Sequence, residues 1–270
     1  MKKYKKLLGI ICMTVFLGAI TAGCGQKAAE EQVGTNSRIE QIKKNGKLIL
    51  ATGNYRPFEY HDEKTNEVVG YDIDVAKKIA DKIGVPLEVR DMQFTSLIPT
   101  LQNGQADIVI AAMYINDERK KVIDFAEPYM KTGQVVVARR DNNDIKSVDD
   151  LEGKKVGAKF GASSAKVVQE MIDKGKKIEL KTYKTNEEYL ADLENGRLDA
   201  GVSDLLYQLE YNKTHPNLKV IGDPFTKDEL GIAVKKGDKE LVNLINNVIK
   251  EMNESGETDK LYNKWISNVK

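Results

Sequence analysis

Short apolar runs alternate with amphipathic stretches along most of this chain. Lys47–Ala51 reads as a strand. Tyr71–Gly84 places Ile73, Ala76, Ile79, Ala80 and Ile83 at helical spacing, and Gly84 with Pro86 supplies the stop. Leu87–Arg90 predicts a second strand, Leu97–Gln102 a helix and Ala106–Ala111 a third strand. The order then returns with a strand at Lys155–Ala158, a helix at Ser164–Asp173, a strand at Ile178–Thr182, a helix at Asn186–Glu194 and a strand at Ala200–Val202. Such alternation predicts an α/β protein with largely parallel sheets. The pattern L-x-N-G-x-x-D occurs at Leu101–Asp107 and again at Leu193–Asp199, each time as a helix end with a glycine stop before a strand. One copy in each half suggests two lobes of similar architecture. Nothing recurs with the short period of a solenoid.

The first residues follow a different pattern. Lys2, Lys3, Lys5 and Lys6 precede an apolar run from Leu7 to Ile20, followed by Thr21-Ala22-Gly23-Cys24. A basic start, a short apolar core and small residues before a cleavage point describe an export signal, and the run falls short of the ~20 residues that span a bilayer comfortably. Ala22-Gly23-Cys24 resembles the lipobox of bacterial lipoproteins, with Thr21 where Leu is usual. Residues 1–23 are therefore expected to be a signal peptide, and Cys24 to carry the lipid. Residues up to 37 lack apolar periodicity and read as a flexible tether. Removing the four signal lysines turns the formal charge from +1 to −3 and takes away Cys12. The protein is then held on the extracytoplasmic face of the cell membrane, in the manner of a Gram-positive lipoprotein.

Composition narrows the function further. The 270 residues hold 42 Lys and Arg against 41 Asp and Glu, with no basic block, which sets aside electrostatic binding of nucleic acid. A mean hydropathy of −0.45 with one long apolar run sets aside a polytopic membrane protein. Two cysteines make neither a disulfide scaffold nor a four-thiolate zinc site. No Walker loop, G-x-G-x-x-G, H-E-x-x-H or G-x-S-x-G is present, and His61 and His215 sit in polar stretches. Neither a cofactor nor a metal is expected, and no catalytic group stands out.

In open α/β sheets ligands bind beyond the carboxyl ends of strands. Asn54-Tyr55, Tyr114–Arg119, Phe160–Ser164 and Ser203-Asp204 gather there. Arg119 suits a carboxylate through two parallel charge-assisted hydrogen bonds, or else makes an ion pair at a surface helix start. Gly161-Ala162-Ser163-Ser164 opens a helix that favours an anion, unless a serine simply caps it. Asp204 can receive an ammonium group or cap the helix at Leu205–Tyr211. Tyr55 and Phe94 either clasp an apolar or planar side chain or belong to the core. Together, an Arg, a helix start and an Asp on facing lobes would grip a zwitterion.

Gly70-Tyr71-Asp72-Ile73-Asp74-Val75, the run Asn116-Asp117-Glu118-Arg119-Lys120-Lys121 leading to Asp124-Phe125, and the closing Tyr262-Asn263-Lys264-Trp265 resemble the extracellular solute-binding proteins of family 3. These are the polar amino-acid receptors of ABC importers. The resemblance covers roughly residues 38–269. It implies a two-lobed, type II periplasmic-binding-protein-like α/β fold joined by two crossover hinge strands. Lobe one would hold residues 38–128 and 231–270, lobe two residues 134–225, and the hinges would lie near 129–133 and 226–230. It also implies a carboxylate-binding Arg119 assisted by backbone at Ala112 and Tyr114 and by Ser163, an ammonium-binding Asp204, and stacking aromatics at Tyr55 and Phe94. The protein would act as a monomer, closing on a free amino acid and serving permease and ATPase subunits on separate chains.

Two departures bear on the ligand. Tyr114 stands where the family often has Ser or Thr, which removes the usual hydroxyl contact, while Ala112 keeps a backbone N–H to donate. Thr52 stands where several receptors for basic amino acids carry an acid. Lys159 aligns with a side-chain-pocket position, where a cation would repel a Lys or Arg ligand unless it points to solvent. A ligand with an acceptor at its far end is therefore expected: glutamine, an acidic amino acid or cystine. The rivals are an extracytoplasmic enzyme on the same scaffold, similar to a cyclohexadienyl dehydratase, which would need a general acid over the ligand, and a sensor domain, for which no transmembrane segment follows.

Overall fold

The computed structural model describes residues 37–267, so the expected signal, Cys24 and almost all of the tether lie outside the described residues. Five strands form a first sheet in the order Leu87–Asp91, Leu48–Thr52, Ile108–Val109, Ala233–Lys235, Ile123–Phe125. The first three are parallel, and Ala233–Lys235 runs antiparallel to both of its neighbours. A second sheet repeats the plan with Glu179–Tyr183, Lys155–Lys159, Ala200–Asp204, Gln134–Arg139 and Leu218–Ile221. Again three parallel strands come first, and Gln134–Arg139 opposes both of its neighbours.

Each sheet is covered on both faces, which is why its central strands are continuously apolar. Leu48, Leu50 and Ile108 pack with Ala76, Ile79 and Ile83 of the helix Tyr71–Ile83. Ala51 and Val109, on the opposite face, pack with Leu97 and Leu101 of the helix Phe94–Gln102. In the second lobe Val136, Val156 and Val202 meet Val168, while Val135 and Val137 meet Tyr189, Leu190 and Leu193. The helix Lys239–Glu254 buries Leu241, Ile245, Val248, Ile249 and Met252 along one face, against the first lobe. The last helix, Glu257–Trp265, is pinned where Trp265 Nε1 donates to Asp74 Oδ2 at 2.9 Å.

Two elements depart from the apolar pattern. The helix expected from Leu97 starts at Phe94, because its exposed first turn carries Thr95 and Ser96 and shows no periodicity. The strand expected over Ala106–Ala111 pairs only at Ile108–Val109. Ala112 ends that run in the left-handed region, at φ 44°.

The repeated motif does the same structural work in both lobes. Gly104 and Gly196 take φ 70° and 72°, and the next N–H returns to the helix, from Gln105 to Thr100 O and from Arg197 to Asp192 O. The aspartate that follows then clamps the first parallel strand of its own sheet. Asp107 N–H donates to Ile49 O while Asp107 Oδ2 accepts from Ile49 N–H at 2.7 Å. Asp199 N–H donates to Lys155 O, and its Oδ2 accepts from Lys155 N–H at 2.8 Å. The repeat is thus a strand-docking device, and it fixes where the first strand and the next parallel strand of each sheet line up.

The chain passes between the sheets along Met130–Thr132 and again along Asp228–Leu230, and these two segments pair antiparallel. Among the described residues no helix is long and apolar enough to cross a membrane.

Asp107 is buried and also pairs with Arg38 at 2.6 Å, whereas Asp199 is partly exposed. Asp107→Ala is therefore expected to lower stability by about 2 kcal/mol or more, because it strands a strand-edge N–H and a guanidinium. Asp199→Ala should cost clearly less, since water can reach the freed donor. Urea unfolding midpoints of the two variants check the order; equal losses would contradict the clamp.

Candidate functional site

The strand ends of the two lobes face each other across a cavity whose empty space, open solvent included, is about 420 Å3. All eight residues singled out in the sequence line it: Tyr55, Phe94, Ala112, Tyr114 and Arg119 from the first lobe, Lys159, Ser163 and Asp204 from the second.

Arg119 is carried by the short helix Asp117–Val122, whose start is capped by Asn116 Oδ1 accepting from Arg119 N–H at 2.9 Å. Its guanidinium turns inward and is only 8% exposed, so it is not a surface ion pair. Nη1 donates to Tyr114 O at 2.6 Å and Nη2 to Gly161 O, in the other lobe, at 3.2 Å. Phe94 lies beneath it, 5.3 Å from ring centroid to guanidinium carbon. Burial lowers its pKa to about 10, so it stays charged at neutral pH. Two carbonyls occupy part of a five-donor fork. Among the described residues no carboxylate pairs with Arg119.

Across the cleft the helix Ser163–Asp173 begins. A serine cap is the alternative that the structure does not realise: Ala162 is the capping residue and makes no side-chain bond. The first N–H groups of a helix have no partner within it, and here Ala162, Ser163 and Ser164 line the cavity near Arg119. A guanidinium and a helix start thus converge on one place, an arrangement that holds an anion.

Lys159 does not point to solvent. Its ammonium lies over both aromatic rings of the opposite lobe, 5.3 Å from the Tyr55 centroid and 4.9 Å from that of Phe94. Burial lowers its pKa, partly offset by attraction to Glu59 and Glu187. Tyr55 stacks on Tyr207 of the second lobe at 4.3 Å, so it serves an interlobe contact as well as the cavity wall.

Asp204 caps the helix Leu205–Asn212, its Oδ1 accepting from the N–H groups of Leu206 at 2.8 Å and Tyr207 at 3.1 Å. Its Oδ2 accepts from Thr132 Oγ1 at 2.7 Å and from the hydroxyl of Tyr114. Burial raises its pKa, and these four hydrogen bonds oppose the rise. One oxygen thus caps the helix, and the other accepts from two hydroxyls at the cavity wall.

Ala112 requires a correction. The N–H expected to serve a ligand is committed to Asp72 Oδ2 at 2.8 Å, an arrangement fixed by the left-handed backbone at that residue. Thr52 likewise turns away, its hydroxyl donating to Ile110 O at 2.6 Å.

Three polar cavity residues escaped the sequence reading: Glu59, Gln134 and Asn186, each buried. Glu59 is 1% exposed, and burial, followed by the charge of the nearby Asp72, raises its pKa well above the usual carboxylate range; Asp72 is itself pushed up to about 6 by burial, and Glu59 Oε2 and Asp72 Oδ1 are both buried without a hydrogen-bond partner among the described residues. Asp72 Oδ2 also accepts from Tyr129, next to the first passage between the lobes, at 3.0 Å. Glu59 is a lone acid inside Pro57-Phe58-Glu59-Tyr60, and its partner is 13 positions away, so local pattern carried no sign of it. No group of three or more His, Cys, Asp and Glu suited to a metal occurs among the described residues.

Residues 47–268 match the bacterial extracellular solute-binding proteins, family 3. The chain belongs to that family. It is 34% identical to the ABC transporter glutamine-binding protein GlnH of Bacillus subtilis (strain 168), over 97% of each chain, and 35% identical to the arginine-binding extracellular protein ArtP of the same organism, over all of both. It is 30% identical to the L-cystine-binding protein TcyJ of Escherichia coli (strain K12), over 94% of each. Among solved structures, an ancestral arginine-binding protein bound to glutamine is 42% identical with a TM-score of 0.76, covering 82% of this chain and 97% of its own. The ancestral amino acid-binding protein AncCDT-1, a precursor of cyclohexadienyl dehydratase, is 37% identical with a TM-score of 0.78, covering 86% of this chain and all of its own. The fold is that of the two-lobed type II periplasmic binding proteins.

Glu59→Gln replaces one acid of this buried pair by a neutral amide. Both acids hold a proton more tightly folded than unfolded, so their contribution to stability falls as pH rises from the ordinary carboxylate range through the folded titration, which for Asp72 lies at about 6. The variant is expected to gain in melting temperature on the wild type as pH rises past about 6. Thermal melts on both sides of that pH check it, and a gap independent of pH would contradict the raised pKa of Glu59.

Proposed function

We propose that this protein is the amino-acid receptor of an ABC importer, lipid-anchored through Cys24 outside the cytoplasmic membrane. The observation that carries the reading is the buried Arg119 guanidinium, left without a carboxylate beside an open helix start. An α-carboxylate bonded by Arg119 and the N–H groups at Ser163 and Ser164 satisfies both. Asp204 faces the same space and takes the ammonium group. Met130–Thr132 and Asp228–Leu230 act as the hinge, and ligand held between the lobes favours the closed form that a separate permease reads.

Relatives of similar identity are named for glutamine, arginine and cystine, so family alone does not select the ligand. The far end of the cavity favours one class. Lys159 holds its ammonium over Tyr55 and Phe94, the slot a ligand side chain would take. A second cation placed there meets a charge that Glu59 and Glu187 offset only in part, in a low-dielectric cleft. A side chain ending in an acceptor (glutamine, an acidic amino acid or cystine) instead gains a charge-assisted hydrogen bond. Binding without turnover is the expected chemistry. An enzyme would need a general acid over the ligand, and Glu59, the buried acid at the cavity wall, lies against Asp72.

Calorimetric titration of protein stripped of carried-over ligand is expected to give one-to-one binding of glutamine, an acidic amino acid or cystine in preference to arginine and lysine. Lys159→Met should weaken that ligand about tenfold or more and raise affinity for arginine, as loss of a buried charge-assisted hydrogen bond requires. Tight arginine binding by the wild type, with no binding of the others, would overturn the assignment.

A further inference from the structure

We infer that Tyr114 is an internal competitor for the ammonium site and latches the lobes shut in the absence of ligand. This rests on the amino-acid reading of the cleft only as far as the competitor is concerned; the latch stands on the contacts themselves.

A carboxylate offers about four acceptor positions. All four of Asp204 are filled by the protein: Leu206 N–H and Tyr207 N–H on Oδ1, Thr132 Oγ1 and the Tyr114 hydroxyl on Oδ2. Three of these donors are local or belong to the passage between the lobes. Only the Tyr114 hydroxyl reaches Asp204 from the body of the opposite lobe. An incoming ammonium group needs an acceptor position at Asp204, and the Tyr114 hydroxyl is the donor that lobe opening removes.

Tyr114 is tied to the rest of the cleft at both ends. Its carbonyl accepts from Arg119 Nη1, and its backbone bridges to Leu230 in the second passage between the lobes. Ring and hydroxyl are 7% exposed, and the hydroxyl's pKa is raised by burial and by the Asp204 charge, so it remains a donor. Other contacts cross the same cleft. Tyr55 stacks on the buried ring of Tyr207, Arg119 Nη2 donates to Gly161 O, and Glu118 pairs with Lys166 at 3.1 Å, but none of these three contacts occupies Asp204 Oδ2. A ligand therefore meets a molecule whose binding-competent state carries a conformational tax, equal to the fraction of time that Tyr114 leaves Asp204.

The test is Tyr114→Phe, which removes the hydroxyl and keeps the ring. Small-angle X-ray scattering on ligand-free protein is expected to show a larger radius of gyration for the variant than for the wild type, with the two converging when ligand is added. Calorimetry with L-glutamine, L-glutamate and L-cystine as probes should show about tenfold tighter binding of whichever probe the wild type takes, as the strength of a hydrogen bond to a charged group implies. An unchanged ligand-free radius overturns the latch. Weaker binding by the variant overturns the competitor, since the hydroxyl would then be serving the ligand. If the wild type binds no amino acid and the variant's ligand-free radius still rises, the amino-acid reading fails and the latch survives.

Discussion

A positive charge taken out of water must find a partner, and the organisation of this protein's cleft follows from one that has not. Arg119 is buried and, among the described residues, supported by carbonyl oxygens and an aromatic face. Lys159 adds a second cation from the other lobe. The acids nearby are largely engaged elsewhere: Asp72 accepts from Ala112 and Tyr129, Asp204 accepts from four donors, and Glu59 and Glu187 offset the charge of Lys159 only in part. The cleft therefore carries positive charge that its own acids do not fully offset. A buried unpaired charge is costly, so a ligand that supplies the counter-charge stabilises the state in which the lobes meet.

That charge is useful only because the framework around it is rigid. Each lobe docks its first strand with an aspartate from the repeated motif and covers its sheet on both faces. Among the described residues the chain passes between the sheets along two segments that pair antiparallel, apart from either core. The acid pair of Glu59 and Asp72 joins these levels. It fixes the left-handed turn at Ala112 and reaches Tyr129 at the first passage, linking the cavity wall to that segment.

Much of this was legible in the chain. The strand–helix alternation gave the fold class because parallel sheets demand buried apolar strands at regular intervals. The motif at Asn103-Gly104 and Asn195-Gly196 announced two similar lobes, and its aspartates clamp strands. The residues that line the cavity could be named from strand ends and from the run around Arg119. What could not be read was commitment. Nothing local says that Asp72 takes the Ala112 N–H, that Glu59 lies buried against Asp72, or that Tyr114 reaches Asp204, because these partners are 40, 13 and 90 positions apart. The antiparallel strands Gln134–Arg139 and Ala233–Lys235 were also missed, since their partners are distant in the chain and the pattern search followed parallel units.

The central claim is that Arg119 awaits a carboxylate. The most direct measurement is the thermal shift of ligand-stripped protein with the best-binding amino acid, compared with the methyl ester of that same amino acid. The ester keeps the ammonium group and side chain and removes only the negative charge. The account predicts a clear rise in melting temperature with the free acid and almost none with the ester. Equal rises with both would contradict it, and would show that the cleft recognises its ligand without using the charge that it buries.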